Sequence, residues 1–515
     1  MSKFYLTTAI DYVNSRPHLG TAYEKVCADA IARYKRLSGA DTYFLMGNDE
    51  HSLNVRRRAL ELGLDPLVYC DQMEREFRGV WDALNIRYDD FIRTSEKRHH
   101  AVVQEFVRRL AQRELGGQKA LYRDWYRGWY CVSCEAYYQS EELEQQSCPI
   151  HRRPVEWIEE RNLFFRLSAY RDTLLEHFER HPDFVQPEPR RNELLRLMER
   201  GLTDISISRA ASDWGVPLPD DPESVVYVWF DALINYVTGA GFLSEPERFE
   251  RLWPADLHVI GKDITRFHCL IWPAMLLGAG LELPRQVFAH GFISVRGEKM
   301  SKTTGNIIDP LEAIQRVGAD SLRYFLLREY TFGKDGDFTW ERFQDRYNAD
   351  LANDLGNLVS RLATMVDKYC GGALPAAPAP EAQHPMMQAF EELPQAYKDS
   401  MERLELHQGI AHAWQLVSLS NVRIDVVKPW ELARDPERRE ELERELVALA
   451  EALRLAALYL TPFIPASSRE IWRRLGLDRD PAQTRLEHVR AYDGALSGRR
   501  IEKGAPLFPR LHEIV

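Results

Sequence analysis

The sequence predicts an α/β fold: a doubly wound parallel sheet, split by an insertion that carries a metal-ligand pattern and followed by an all-helical bundle. Three observations predict it. Strand and helix patterns alternate over residues 1–120 and again over 226–290, whereas the stretch between them is rich in Tyr, Trp and Cys. Beyond residue 350 only long amphipathic runs at helical spacing remain.

The segment from Lys3 to Ile10 is apolar and β-rich, and it runs through Asn14, Pro17 and Gly20 into a helical pattern ending near Gly39. A second strand, TYFLMGN, ends before Asp49-Glu50-His51, and DDFIRTS is a third, ahead of a charged helix through residue 115. Strands alternating with helices imply a parallel sheet whose ligands sit beyond the carboxyl ends of the strands. The alternation resumes with DLHVIGKD and QVFAHGFISV, so the Rossmann-like sheet is split. The runs ADLANDLGNLVSRLATMVDKY and RELVALAEALRLAALYL form the bundle, and the Pro- and Ala-rich GGALPAAPAPEAQHP connects two of its helices. Expected boundaries are 1–120 and 226–290 for the two halves of the sheet, 121–225 for the insertion, 291–349 for a loop and connecting fold, and 350–515 for the bundle.

With 515 residues the chain exceeds what one core organises, and its 45% hydrophobic and 28% charged composition is that of a globular protein. The start, MSKFYLTTAI, has no cleavable leader pattern, and no stretch supplies the ~18 uninterrupted apolar residues of a spanning helix. A cytoplasmic location is expected. The net charge of −11 neither indicates nor excludes a nucleic-acid partner, because a local basic track such as PEPRRNELLRLMER is averaged away.

Seven cysteines without a secretion signal argue for reduced thiols or a metal site. Cys27, Cys70, Cys269 and Cys370 stand alone and read as small buried hydrophobes. Cys131-x2-Cys134, thirteen residues, then Cys148-x2-His151 is the ligand spacing of a tetrahedral Cys3His zinc knuckle. With every position filled by protein, such a zinc is structural and not catalytic.

Two short elements carry phosphate chemistry. The first βα turn reads His18-Leu19-Gly20-Thr21, with an imidazole at a helix opening, where anions are favoured. The second is Lys299-Met300-Ser301-Lys302-Thr303, in a loop bounded by Gly297 and Gly305, whose two lysines can follow a pyrophosphate as its charge grows. Taken singly, each is also ordinary turn chemistry. No Gly-x-x-x-x-Gly-Lys-Ser/Thr loop is present, and Gly261-Lys262-Asp263 lacks its spacing, which disfavours a P-loop enzyme.

Together and in this order, at the two ends of a split parallel sheet, these elements resemble the signature motifs of class I aminoacyl-tRNA synthetases. The resemblance covers nearly the whole chain and is closest to the methionyl type with a single zinc knuckle. It implies activation of L-methionine with ATP to methionyl-adenylate and pyrophosphate. Transfer to the 3' end of tRNA(Met) would follow, for elongation and initiation of translation. ATP brings Mg2+, and the knuckle brings one Zn2+ that shapes the insertion near the 3' end of tRNA. His18, Lys299 and Lys302 are the implied catalytic groups; Gly20, Thr21, Gly261, Asp263 and Thr303 join His18 and Lys302 around ATP. One departure stands out: Thr21 occupies the place of the family's usual second histidine and cannot carry charge. The main phosphate contact of this motif therefore falls to His18.

Trp229, Ala232, Leu233 and Tyr236 fall at i, i+3, i+4 and i+7, and Ile264, His268 and Trp272 advance in steps of four, so each set lines one helix face. Periodicity alone favours a packed core. By resemblance these residues, with Ile10 and Tyr12, match the methionine pocket, and Asp49 matches the group that takes the substrate ammonium. An aromatic and aliphatic cage suits a polarisable thioether. Asn357 and Arg361 are i, i+4 neighbours and Trp430 follows Pro429; the resemblance assigns these three to the CAU anticodon, read by edge hydrogen bonds and stacking. Leucyl, isoleucyl and valyl enzymes need a larger editing insertion, and a cysteinyl enzyme places zinc in its pocket, although Cys269 lies beside His268. A noncatalytic RNA-binding relative is the other alternative, opposed by Lys299, Lys302 and Asp49. With the chain ending at Val515, soon after the bundle, a monomer is expected.

Overall fold

The structure, a computed structural model, describes every residue except 1, 132–135, 139, 150–151, 211–212, 301–305, 377 and 513–515, and the side chains of 136, 137, 142, 210 and 299. Its centre is a seven-stranded sheet in which every pairing is parallel. Strand Lys3–Thr8 lies in the middle, flanked by Asp41–Asp49 on one side and Leu257–Gly261 on the other. The first half of the chain extends the sheet outward through Asp90–Arg93, and the second half extends it the other way through Val287–His290. Strand order thus reverses between Lys3–Thr8 and Leu257–Gly261, and a crevice opens at the carboxyl ends of such a pair.

Side-chain alternation builds a core on each face. Leu6, Phe44, Met46, Leu257 and Val259 point to one face, where helix Leu19–Leu37, the connecting fold and the bundle pack. Tyr5, Leu45 and Ile260 point to the other, against helices Lys97–Gln112 and Trp272–Ala279. The insertion leaves the sheet after Lys97–Gln112 as an antiparallel unit whose long hairpin pairs Leu121–Cys131 with Glu156–Phe165. The bundle is joined to the sheet through a buried charge. Arg323 in helix Ala319–Glu329 meets Asp29 at 2.6 Å with both side chains fully buried, and Arg323 also donates to the carbonyls of Leu84, Pro462 and Phe463.

Three local expectations change. Asp49 is the last residue of its strand and does not follow it, and the charged helix after strand Asp90–Arg93 ends at Gln112 instead of 115. The amphipathic run before Asn357 is a π-helix, Tyr347–Gly356, and turns α-helical only over Asn357–Cys370. The side chain of Asn348 bonds both the backbone N–H and the carbonyl of Leu511 there, which ties the widened turn to the C-terminal tail.

Candidate active site at the strand switch

Helix Leu19–Leu37 begins at the crevice, with His18 as its N-cap. The His18 Nδ1 accepts from the backbone N–H of Gly20 at 3.0 Å and of Thr21 at 3.3 Å. Nδ1 is therefore the accepting nitrogen, and the ring proton sits on Nε2. The signature turns meet here. A Cβ on Gly20 would stand 3.1 Å from the terminal methyl of Met300, and the Leu19 N–H donates to the Ile308 carbonyl at 3.0 Å. Met300 and Ile308, on either side of residues 301–305, thus both meet the helix start. Lys299 ends a short strand paired to Ile293–Val295; its side chain, with all of Lys302 and Thr303, lies outside the described residues.

Gly261 closes its strand, and Lys262–Ile264 make a 3-10 turn beside it. A Cβ at Gly261 would come within 2.6 Å of the Asp263 Oδ1, so only glycine lets that exposed carboxylate fold back over the strand end. Lys262 pairs with Asp335 at 2.7 Å and is turned toward the connecting fold.

The aromatic residues come together as two linked groups. Trp229, in helix Val228–Leu233, stacks on Phe267 at 4.2 Å and meets Tyr12 edge-on at 5.6 Å. Tyr236 sits in the next short helix, Asn235–Ala240, with its hydroxyl 2.7 Å from the His268 Nε2 and its ring 5.9 Å from Trp272. Ala232 and Leu233 are buried between the two groups in sequence. Trp272 is fully buried, stacked on Phe106 and bonded to His258, so it bounds the cage through Tyr236. Ile10 faces Gly47, where a Cβ would lie 3.0 Å from the isoleucine and 2.2 Å from the Ile92 carbonyl. Ile264 packs at the edge of the same cluster.

Phe267 and His258 are additions to the cage that spacing did not reveal. Residues 267–271 form a π-helix between the 3-10 turn and the α-helix, so steps of four do not trace one face, and Phe267 swings under Trp229. Asp49 is buried at the strand end, and the residues after it are held firmly. His51 Nδ1 lies 2.5 Å from the buried Asp231, which also meets His99 at 2.8 Å, and the two histidines hold the Asp231 carboxyl low despite burial.

In the insertion, Cys131 and Cys148 are buried, form no disulfide, and share their small cluster with Val155, Trp129, Tyr138 and Leu143. Cys134 and His151 lie outside the described residues. In the bundle, Asn357 is exposed and Arg361 pairs with Asp425 at 2.7 Å. Trp430 is 38% exposed on the short helix Pro429–Leu432, near Val422 and Val426 in sequence, which are 59% and 68% exposed. The exposed valines were not evident from composition, because nothing in sequence distinguishes an outward Val on an amphipathic helix from a buried one.

A family model described as "tRNA synthetases class I (M)" matches residues 4–154 and 127–363. The methionine–tRNA ligase of Thermotoga maritima is 45% identical over 514 residues, 99% of this chain and 80% of that protein. That of Streptomyces coelicolor is 43% identical, over 99% and 97%. The Mycobacterium tuberculosis methionyl-tRNA synthetase in complex with methionyl-adenylate superposes with a TM-score of 0.94 at 41% identity, covering 99% of this chain and all of that one. The free form of that protein gives 0.87 at 38% identity.

Proposed function

The chain belongs to the class I methionyl-tRNA synthetases, and on that premise we propose how its residues divide the work. The reaction is established by the family: the carboxylate of L-methionine attacks the α-phosphorus of ATP, pyrophosphate leaves, and the methionyl group passes from the adenylate to tRNA(Met). One observation supports the site assignment above others: Met300 of the second signature element rests against Gly20 at the start of the first helix, which brings the two elements together.

In this reading the cage of Ile10, Tyr12, Trp229, Phe267, Tyr236 and His268 takes the methionine side chain, and Asp49 takes the ammonium. The Nε2–H of His18 donates to a phosphate oxygen, and Asp263 takes the ribose hydroxyls. Lys299 and Lys302 follow the leaving pyrophosphate, aided by the Mg2+ that accompanies ATP. Such preorganised donors stabilise charge as it develops, at no reorganisation cost during the step. Lys302→Ala should therefore slow single-turnover adenylate formation by about a hundredfold or more while methionine binding changes little. Equal losses in both would reduce the lysine to a ground-state contact.

A structural zinc belongs to the same proposal. Cys131 and Cys148 supply two buried thiols in a cluster too small to hold its own shape, and Cys134 and His151 complete the donor set in sequence. The exposed end of the bundle, with Asn357, Arg361 and Trp430, is proposed to read the anticodon; Arg361 would exchange its Asp425 partner for a base edge. A cytoplasmic monomer is the proposed working form. Among the described residues no helix is long and apolar enough to cross a membrane.

A further inference from the structure

A chain of buried polar groups joins the two parts of the proposed methionine site, Asp49 and the aromatic cage. His51 stands two residues after Asp49, and its Nδ1 meets Asp231 Oδ2 at 2.5 Å. Asp231 Oδ1 meets the His99 Nε2 at 2.8 Å, and the His99 Nδ1 lies 3.0 Å from the Thr238 hydroxyl. That hydroxyl in turn donates to the Ile234 carbonyl at 3.1 Å. All four side chains are buried, although their sequence neighbours Phe230, Leu233, Ile234 and Val237 belong to an apolar cluster.

Each link lies on an element that carries part of the site or packs against it. Asp231 shares helix Val228–Leu233 with Trp229, Thr238 shares helix Asn235–Ala240 with Tyr236, and His99 is on helix Lys97–Gln112. The segment of His51 is also fixed from both sides of its backbone. The Glu50 N–H donates to the Thr94 hydroxyl at 2.9 Å, and the Trp214 Nε1 donates to the Glu50 carbonyl at 2.6 Å. Tyr12 is paired with Asp49 in the sheet itself. Asp49 is thus tied to Tyr12 through the backbone and to the helices of Trp229 and Tyr236 through the polar chain. Stability alone does not call for such a chain, because apolar side chains of similar volume in place of buried charged pairs are often neutral or stabilising. What directed bonds add is one fixed spacing between the elements they join.

We propose that His51 and Asp231 are positioning residues that set the length of the methionine pocket. They hold the Trp229 helix at one separation from Asp49, so that the ammonium and the thioether of one amino acid are held together and a longer side chain is not. This inference rests on the reading of Asp49 and the cage as the methionine site. A link with only a folding role would lower stability without changing which amino acid is preferred, so the two roles separate in selectivity.

The test is ATP–pyrophosphate exchange driven by methionine or by ethionine, whose S-alkyl group is one carbon longer, in His51→Leu and His51→Asn. The first removes the donor to Asp231, and the second supplies an amide N–H close to the place of Nδ1–H. The preference for methionine over ethionine in kcat/KM should fall about fivefold or more in His51→Leu and return to within about twofold of the unsubstituted value in His51→Asn. The KM for ATP should stay within about threefold in both. An unchanged preference in folded His51→Leu, the same loss in both variants, or a rise in the KM for ATP equal to that for methionine overturns the proposal. If His51→Leu does not fold, Asp231→Glu, which keeps the charge and lengthens the link by one carbon, is measured in its place. A fallen preference then supports the proposal, and an unchanged one overturns it. A lack of methionine-dependent exchange in the unsubstituted protein would strike the underlying reading instead.

Discussion

His268 is fully buried, with Nε2 facing the Tyr236 hydroxyl and Nδ1 3.1 Å from the Ile264 carbonyl. Nδ1 must donate to that carbonyl, so Nε2 accepts from the tyrosine, and the ring is neutral. Burial pushes its pKa down to about 4 from the ordinary 6.5. Since the folded value is depressed, the stability it represents is complete above pH 6.5 and is lost as pH falls toward 4, an effect on the order of 3 kcal/mol for such a shift. The KM for methionine should therefore show no inflection from His268 between pH 8 and about 5.5, whereas unfolding by denaturant should become easier across pH 6.5 to 4. An inflection in methionine affinity near 6.5 would mean that the ring is charged and the tautomer above is wrong. Residues of this kind were readable in sequence as members of a set, but their protonation was not, because it depends on which oxygen each ring nitrogen meets.

The elements show where the sequence is a good guide and where it is not. Lys3–Thr8, Asp41–Asp49 and Leu257–Gly261 were legible because apolar, β-branched runs end in turn residues at helix starts. Ile264, His268 and Trp272 were expected on one face of a regular helix, but they span 3-10, π and α turns, which share the same apolar composition and differ only in their winding. Phe267 was missed for that reason. Insertions with little core obey a different logic, in which a metal takes the place of apolar burial. Purified protein should accordingly contain one zinc per chain by elemental analysis. Cys148→Ser should release it and expose the Leu121–Phe165 hairpin to protease while the parallel sheet stays folded. Fully active protein without zinc would refute the knuckle.

Across the whole molecule, the parallel sheet holds the crevice at the strand switch and the bundle carries the exposed Trp430, while the buried Arg323–Asp29 pair joins helix Ala319–Glu329 to helix Leu19–Leu37. The motifs at the switch were legible because they are short and local. The buried pair was not, since Asp29 and Arg323 are 294 positions apart and neither belongs to a motif. Stacking of a base on an aromatic ring is worth about 1–3 kcal/mol, so Trp430→Ala should lower charging of tRNA about tenfold or more. Exchange, which needs no tRNA, should be almost unchanged, and a parallel fall would make Trp430 a folding residue.

The central claim is that this crevice selects methionine and passes it to tRNA. ATP–pyrophosphate exchange by the purified protein, assayed against each of the twenty amino acids and followed by charging of tRNA(Met), tests it most directly. Exchange should respond to methionine far above the other nineteen, and labelled methionine should appear on the tRNA. Exchange driven equally by another amino acid, or none with methionine, would contradict the account.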